Sequence, residues 1–256
     1  MREWYNRLVI PLLVKESMKD SITENYKIRQ VTFETCKEWL LYKHYAHRIP
    51  PIMYAFGLYN DYNELLGVCT YGRPVAHFLI KNAFGGKYQD SFLELNRLCV
   101  NDGLPRNVLS FFVSQTFKML PKPLALVSYA DTSHNHHGYI YQATNWIYTG
   151  LSAPFKDYMV KGYESMHGSS VMDMVGRSDV KDGHLDKVRL LKERFGEENV
   201  YLVDRPRKHR YFMFLGSKSD KKAMKRALIY KEEPYPKGDN IRYDSSYKPT
   251  VQLTLF

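Results

Sequence analysis

The sequence contains little cysteine, and this scarcity excludes two classes of small-domain architecture. Its 256 residues include three cysteines, Cys36, Cys69 and Cys99, each inside an apolar segment and far from the other two. No Cys-x-x-Cys pair occurs. The spacing therefore excludes a zinc ribbon and a disulfide framework, and it indicates buried thiols in a reducing compartment.

A long hydrophobic run is also missing. The apolar stretch Leu8–Val14 near the start of the chain is broken by Pro11, is too short to span a bilayer and lacks a small-residue cleavage site. We therefore expect a soluble intracellular protein with no membrane partner.

Acidic residues are fewer than basic ones. The sequence has 27 Asp and Glu and 37 Lys and Arg, which gives a net charge of +10. Such an excess favours a polyanionic partner, nucleic acid first, although general solubility is the alternative interpretation. The basic residues concentrate in one C-terminal loop and the helix predicted after it. We expect the following side chains to contact DNA phosphates, the alternative being a solvated charged face: Arg205, Arg207, Lys208, Arg210, Lys221, Lys222, Lys225 and Arg226.

The hydrophobic periodicity up to Gly150 predicts strand, helix, two-strand hairpin, strand, helix, strand, helix and strand. This order indicates an α/β (α+β) fold, a mixed central sheet flanked by helices. Composition shifts after Pro154, and residues 161–183 are predicted to form a long loop. We therefore expect a catalytic domain over residues 1–156 and a basic α/β extension over residues 157–256 that packs on it and contacts nucleic acid.

The segment Leu126–Gly150 is the most informative stretch. A buried strand is followed by Asp131, by a histidine-rich loop and then by a short helix that carries Tyr141. A loop and one helical turn can bring Tyr141 back beside Asp131. The loop histidines are compatible with a metal site that includes Asp131 or with an ordinary polar loop; they are His134, His136 and His137.

A second polar cluster is predicted near residue 45. Thr35 and Glu38 have the spacing of a capping box, so a helix is expected from Thr35 to about Ala46. His44 would then share one helical face with His47 and Arg48, either as chemistry beside a helix terminus or as a basic last turn that satisfies the helix dipole.

Two further polar residues fall inside predicted elements. Arg97 interrupts the strand Phe92–Val100, so it either meets an anionic partner or lies at an edge with its guanidinium in water. Ser114 lies one turn after Ser110 on the helix predicted from Asn107 to Leu120.

Several of these pieces together resemble the Mom family of phage DNA-modification proteins. The resemblance covers roughly the first 150 residues, and the C-terminal segments Lys208–Tyr211 and Pro234–Lys237 also look similar. The matching motifs are His44-Tyr-Ala-His-Arg48, Leu95-Asn-Arg-Leu98, Tyr129-Ala-Asp131 and Ile140-Tyr-Gln-Ala-Thr-Asn-Trp146.

The resemblance implies a fold like that of the GCN5-related N-acetyltransferases. It implies conversion of adenine in duplex DNA to N6-carbamoylmethyladenine, which protects phage DNA from restriction in the bacterial cytoplasm. The implied active-site cluster, which is also the implied iron site, is His44, Tyr45, Asp131 and Tyr141. Arg97 and Ser114 are implied to support it by binding substrate.

The chain departs from acetyltransferases at the loop that holds the coenzyme A pyrophosphate. Residues 100–108 contain one glycine, Gly103, where a glycine-rich turn is usual. This departure argues against coenzyme A binding, so the donor stays open between acetyl-CoA and another small molecule such as a glycine derivative. Two alternatives remain open: a CoA-dependent N-acyltransferase acting on RNA, tRNA or protein amines, and a DNA-binding protein without catalysis. A homodimer on DNA also remains open.

Overall fold

A computed structural model describes residues 22–76, 78–164, 166, 168–175 and 184–238. The predicted apolar run Leu8–Val14 lies outside these residues. In the described part of the chain, no helix combines the length and apolar character needed to cross a bilayer. The strands are β1 Tyr26–Gln30, β2 Tyr54–Asn60, β3 Leu65–Gly72, β4 Phe92–Val100, β5 Leu124–Asp131, β6 Ile147–Leu151, β7 Phe155–Val160, β8 Val200–Arg205 and β9 Lys208–Leu215.

Seven of these strands form the central sheet, in the order β1-β2-β3-β4-β5-β9-β6. Its β4–β5 pair is parallel and the other pairs are antiparallel, so the predicted mixed sheet is confirmed. The helices are α1 Phe33–Glu38, α2 Leu79–Phe84, α3 Val108–Met119, α4 Tyr139–Ala143, α5 Gly168–Asp173, α6 His184–Phe195 and α7 Lys218–Ala227.

Helices cover both faces of the sheet, because alternate strand residues are apolar on each face. One face carries Leu93, Leu126 and Tyr211, which pack with Phe112 of α3 and Tyr141 of α4. The opposite face has two clusters: one joins α1 to β2, β3 and β4, and the other joins α2 and α7 to β4, β5 and β9. The flanking helices predicted from sequence are therefore present on both sides.

The parallel strands β4 and β5 separate part-way along their length. They pair from Phe92 and Ala125 as far as Glu94 and Val127, where the pairing ends. Beyond that point the Ser128 hydroxyl lies 2.7 Å from the Leu95 carbonyl oxygen. The sheet therefore opens into a wedge toward the carboxyl ends of these two strands.

Residues after 154 form two different structures. β7 and β8 pair as a separate two-stranded sheet, and α5 and α6 pack on it around Val171 and Leu191. β9, by contrast, lies between β5 and β6 in the central sheet. The domain boundary at residue 156 stays a prediction, and β9 shows that the C-terminal segment contributes a strand to the main sheet.

Three local predictions are corrected. The first helix begins at Phe33, because the Thr32 hydroxyl accepts from the Thr35 backbone N–H and makes Thr32 the N-cap. It continues as a π-helix over Trp39–Lys43 and ends before His44, so His44, His47 and Arg48 do not share a helical face. Within the predicted loop 161–183, residues 168–173 form α5.

Candidate active site

A cleft of about 660 Å³ lies in the wedge between β4 and β5. Its volume falls within the usual range for small-molecule sites. It is lined by polar and aromatic side chains, which include His44, Tyr45, Glu94, Arg97, Arg106, Ser110, Tyr129, His136, Tyr139, Tyr141 and Lys208.

The cleft is bordered by elements from both faces of the sheet. Ser110 of α3 and Tyr141 of α4 reach it from one face. His44 and Tyr45 reach it from the other face, where they follow the α1 segment that packs on Ala55 and Cys99. Side chains from both faces of the sheet therefore meet at one cleft.

Glu94 lies where the two strands begin to separate. Burial raises the pKa of its carboxyl group to about 7, although the nearby positive charges of Arg97 and Lys208 lower it. The charge of Glu94 in turn raises the pKa of Tyr45, Tyr129 and Tyr141. A carboxyl group that changes protonation near neutral pH is suited to general base catalysis.

A β-bulge explains why Arg97 interrupts the strand pattern. Tyr71 of β3 is opposite Leu95, and the next β3 residue, Thr70, is opposite Arg97, so Asn96 is an extra residue in the register. The extra residue turns Arg97 into the cleft beside Glu94. Its guanidinium donates to the Asn96 carbonyl at 2.7 Å and to the Arg48 carbonyl at 3.4 Å.

His44 and Tyr45 form a stacked pair with ring centroids 4.5 Å apart. The His44 Nδ1 accepts from the Ala46 backbone N–H at 3.1 Å. Burial lowers the pKa of His44 well below its ordinary value, and the positive charge of Arg97 lowers it further. Burial raises the pKa of Tyr45 to about 12. Both rings are therefore neutral at physiological pH.

Tyr141 reaches the cleft from α4. Gly138, just before this helix, has a φ of +74°, and a Cβ there would lie 2.5 Å from the Tyr211 ring. Only glycine suits this close approach. The Tyr141 hydroxyl lies 2.7 Å from the Ser128 hydroxyl, and burial raises its pKa above the ordinary value. Tyr141 therefore keeps its proton and can act as a proton donor.

Asp131 lies at the end of β5, opposite Lys208 of β9. One carboxylate oxygen is 3.0 Å from the Lys208 Nζ, and the other accepts from the Ser133 N–H and hydroxyl. Burial raises the pKa of Asp131, but Lys208 and Ser133 outweigh it and leave the pKa below its ordinary value. Asp131 is therefore a fixed anion that holds Lys208 at the cleft.

Other predicted residues lie elsewhere. Ser114 is one turn beyond Ser110, and Ser110 is the serine of α3 that lines the cleft. Arg205 forms two hydrogen bonds of 2.6 Å with Asp157. Arg207 donates to the Ser152 carbonyl. The guanidinium groups of both arginines therefore already bind other residues of the fold.

Among the side chains predicted to contact DNA, Arg210 is the one most extensively bound to other parts of the fold. It is 8% exposed, donates to the side chain and carbonyl of Thr149, and stacks over Tyr230 at 3.5 Å. An arginine held in this way stabilises the fold, so a direct contact between Arg210 and a phosphate is not compatible with this arrangement.

The four implied iron ligands comprise one imidazole, one carboxylate and two tyrosines whose pKa is raised by burial, and iron binding by them stays a prediction. Among the described residues, no group of three or more His, Cys, Asp or Glu side chains is placed to hold a metal ion. Both oxygens of Asp131 are engaged, and Lys208 adds positive charge beside it. The rival histidine loop is divided, because His136 packs edge-on to Tyr45 and His137 packs against His209. The side chain of His134 lies outside the described residues.

Sequence reasoning did not single out Glu94. The signal available was a carboxylate in a predicted strand, three residues before an arginine. An alternating strand with one solvated face gives the same pattern. Only the separation of β4 from β5 places Glu94 at the narrow end of a cleft.

Comparison with known proteins decides the family. The family model described as the Mom protein family matches residues 25–237. The chain belongs to the Mom family. A relative from Escherichia phage Mu, "Methylcarbamoylase mom", is 26% identical over 223 residues, which are 83% of this chain and 86% of the relative.

Solved structures similar to this Mom family chain are acetyltransferases. A GNAT family acetyltransferase from Bacillus cereus aligns with 75% of this chain and 99% of its own, at 10% identity and a TM-score of 0.36. The spermidine/spermine N-acetyltransferase SpeG from Vibrio cholerae aligns with 80% of this chain and 98% of its own, at 6% identity and a TM-score of 0.40. At these scores the likeness is too loose to transfer any residue's role.

Proposed function

We propose that this chain modifies duplex DNA, attaching a carbamoylmethyl group to the N6 amine of adenine and so shielding phage DNA from restriction. That it is a transferase-like enzyme follows from its family and its Mu relative. DNA as the acceptor is supported by the net charge of +10. The observation that carries the proposal is the cleft that crosses the sheet, because group transfer brings two substrates to one point.

The acceptor base has to leave the duplex stack, since N6 is not accessible inside it. The cleft offers aromatic rings on which a flipped base can stack. Tyr45 and the His44 ring stacked on it line the cleft on one side of the sheet. We assign the base to the side of the sheet that carries Tyr45, with the donor entering past α3 and α4.

The N6 lone pair is delocalised into the ring, so the donor must carry a good leaving group on a methylene next to its amide carbonyl. The N6–carbon bond forms as the bond from carbon to the leaving group breaks. Glu94 takes the proton that N6 releases, and Tyr141 donates a proton to the departing group. Arg97 holds an anionic part of the donor.

Asp131 acts indirectly in this scheme. Its carboxylate holds the Lys208 ammonium at 3.0 Å, and Lys208 lowers the pKa of Glu94. Asp131 is therefore a positioning residue in our proposal, and Glu94 is the base.

The test is mass spectrometry of nucleosides from the DNA of cells that express the chain. We expect a deoxyadenosine in which carbamoylmethyl replaces one N6 hydrogen, absent with Glu94→Gln and strongly reduced with Tyr141→Phe. The exposed turn variant Glu64→Gln is the matched control. Unmodified DNA together with acylated RNA or protein amines would contradict the proposal and support the acyltransferase alternative.

A further inference from the structure

A groove rich in lysine lies at the other end of the central sheet from the cleft. Its volume is about 750 Å³, and its floor includes Phe117, Ile147 and Phe214. Five lysines from the end of α3, the loop after it and α7 line it: Lys118, Lys122, Lys221, Lys222 and Lys225. We call this surface the lysine groove.

Few carboxylates neutralise the positive charge of the lysine groove within the described part of the chain. No carboxylate is among the described residues that line it. Lys225 pairs with Glu232 at 2.7 Å, but within the described ranges no carboxylate lies at ion-pair distance from Lys118, Lys122, Lys221 or Lys222. Several ammonium groups brought together without counter-charges repel one another unless an anion is present. Their convergence from three segments therefore favours a bound polyanion.

The groove and the cleft are linked by the same two helices. α3 begins at the cleft with Ser110 and ends at the groove with Lys118, and Ala143 lines the cleft while Thr144 lines the groove. Ser110 and Lys118 are eight residues apart on α3, a rise of ~12 Å at about 1.5 Å per residue. That rise corresponds to roughly three to four base pairs of duplex at about 3.4 Å each.

We propose that the lysine groove binds the sugar-phosphate backbone of the substrate duplex roughly three to four base pairs from the flipped adenine. The proposal rests on the proposed function and deepens it, because it predicts a minimum substrate length. A polyanionic backbone matches a row of lysines with few counter-charges in the described part of the chain, and phosphate contacts fix the register of a duplex without reading its sequence.

The test compares two duplexes, each with a central target adenine: one of 30 base pairs and a stem of 5 closed by an uncharged linker, which is too short to reach the groove. The variant Lys221→Glu/Lys222→Glu reverses the groove's charge. Lys27→Glu/Lys87→Glu makes the same change at two exposed lysines outside the groove and is the matched control. Dissociation constants are measured by fluorescence anisotropy over a range of salt, and melting temperatures verify folding.

We expect the groove variant to bind the long duplex at least 10-fold more weakly than the control variant does. The slope of log Kd against log salt should fall by about two, because each phosphate that the variant no longer neutralises lowers it by about one. Binding to the short duplex should change no more than in the control. Equal weakening for both lengths, or no weakening beyond the control, would overturn the proposal.

Adenine modification is measured separately, so that the two proposals can fail separately. Length-dependent weakening of binding without any adenine modification would support the groove and refute the proposed function. Adenine modification with no length dependence would refute the groove and support the function. Charge reversal could instead weaken donor binding and leave DNA binding unchanged. In that case the groove would bind the phosphates of the donor, and the proposal would be wrong.

Discussion

Charged side chains are paired and buried at one end of β9, beside the cleft, and exposed at its other end, beside the lysine groove. At the cleft end, Lys208 pairs with Asp131, and burial shifts the pKa of Glu94 to about 7. At the groove end, Lys221 and Lys222 are exposed, and the described residues place no carboxylate in the groove beside them. A charge that is buried and paired is positioned for chemistry, whereas one that is exposed and unpaired is available to a large anionic partner.

The difference follows from desolvation. A group taken out of water keeps its charge only where another charge or hydrogen bond compensates, and otherwise its pKa moves until it is neutral. The pKa of Glu94 moves in the second direction, to about 7, and Asp131 illustrates the first outcome. An exposed lysine has neither constraint, because water screens it. The comparison therefore predicts large, specific effects at the cleft and smaller, additive ones at the groove.

The largest effect is expected for Glu94→Gln. Removing a general base should lower kcat by about 10² to 10⁴-fold, while DNA affinity stays near that of wild type. In wild type, kcat/KM should rise as pH increases through about 7, since the base must be ionised and burial raises its pKa to about 7. Single-turnover rates across pH test this, with Glu64→Gln as the control. A variant that retains full activity would exclude Glu94 as the base.

A smaller effect is expected at the Asp131–Lys208 pair. Asp131→Asn and Lys208→Met should each reduce activity about 10-fold, and the double variant should be no worse than either, because both remove one interaction. Double-mutant analysis of kcat/KM measures this. Fully additive effects would show that Asp131 acts independently of Lys208, as a direct participant in the reaction.

The smallest effect is expected at the groove end, from Ser217→Ala. The Ser217 hydroxyl caps α7 by accepting from the Asp220 backbone N–H, and the Asp220 carboxylate completes a capping box. Removal of this cap should cost about 1 kcal/mol in the free energy of unfolding, measured by urea denaturation. Ser219→Ala, inside the same helix, is the control and should be nearly neutral. Equal destabilisation by both would contradict the capping role.

Periodicity in the sequence predicted much of the fold. The hairpin β2–β3, the strand β4 and the helices α3 and α7 all fall within a residue or two of their expected positions. In each of these segments the residues that pack on the core are set by the local repeat of apolar side chains. The structure places His44, Arg97 and Tyr141 along one cleft, and their roles there stay a prediction.

Other features depend on contacts between distant segments, and no local pattern records them. The separation of β4 from β5 creates the cleft and gives Glu94 its raised pKa. The bulge at Asn96 turns Arg97 inward, and Thr149 and Tyr230 bury Arg210, which its charge alone had suggested was a DNA contact.

The sequence by itself therefore determined most of the secondary structure, the mixed α/β class, the family motifs and the basic character of the protein. Tertiary structure alone decided which charged groups are desolvated and paired and which remain available to bind a partner. The physical reason is that the free energy of a charge depends on burial and on neighbours tens of residues away, whereas apolar periodicity is a property of adjacent turns and strands.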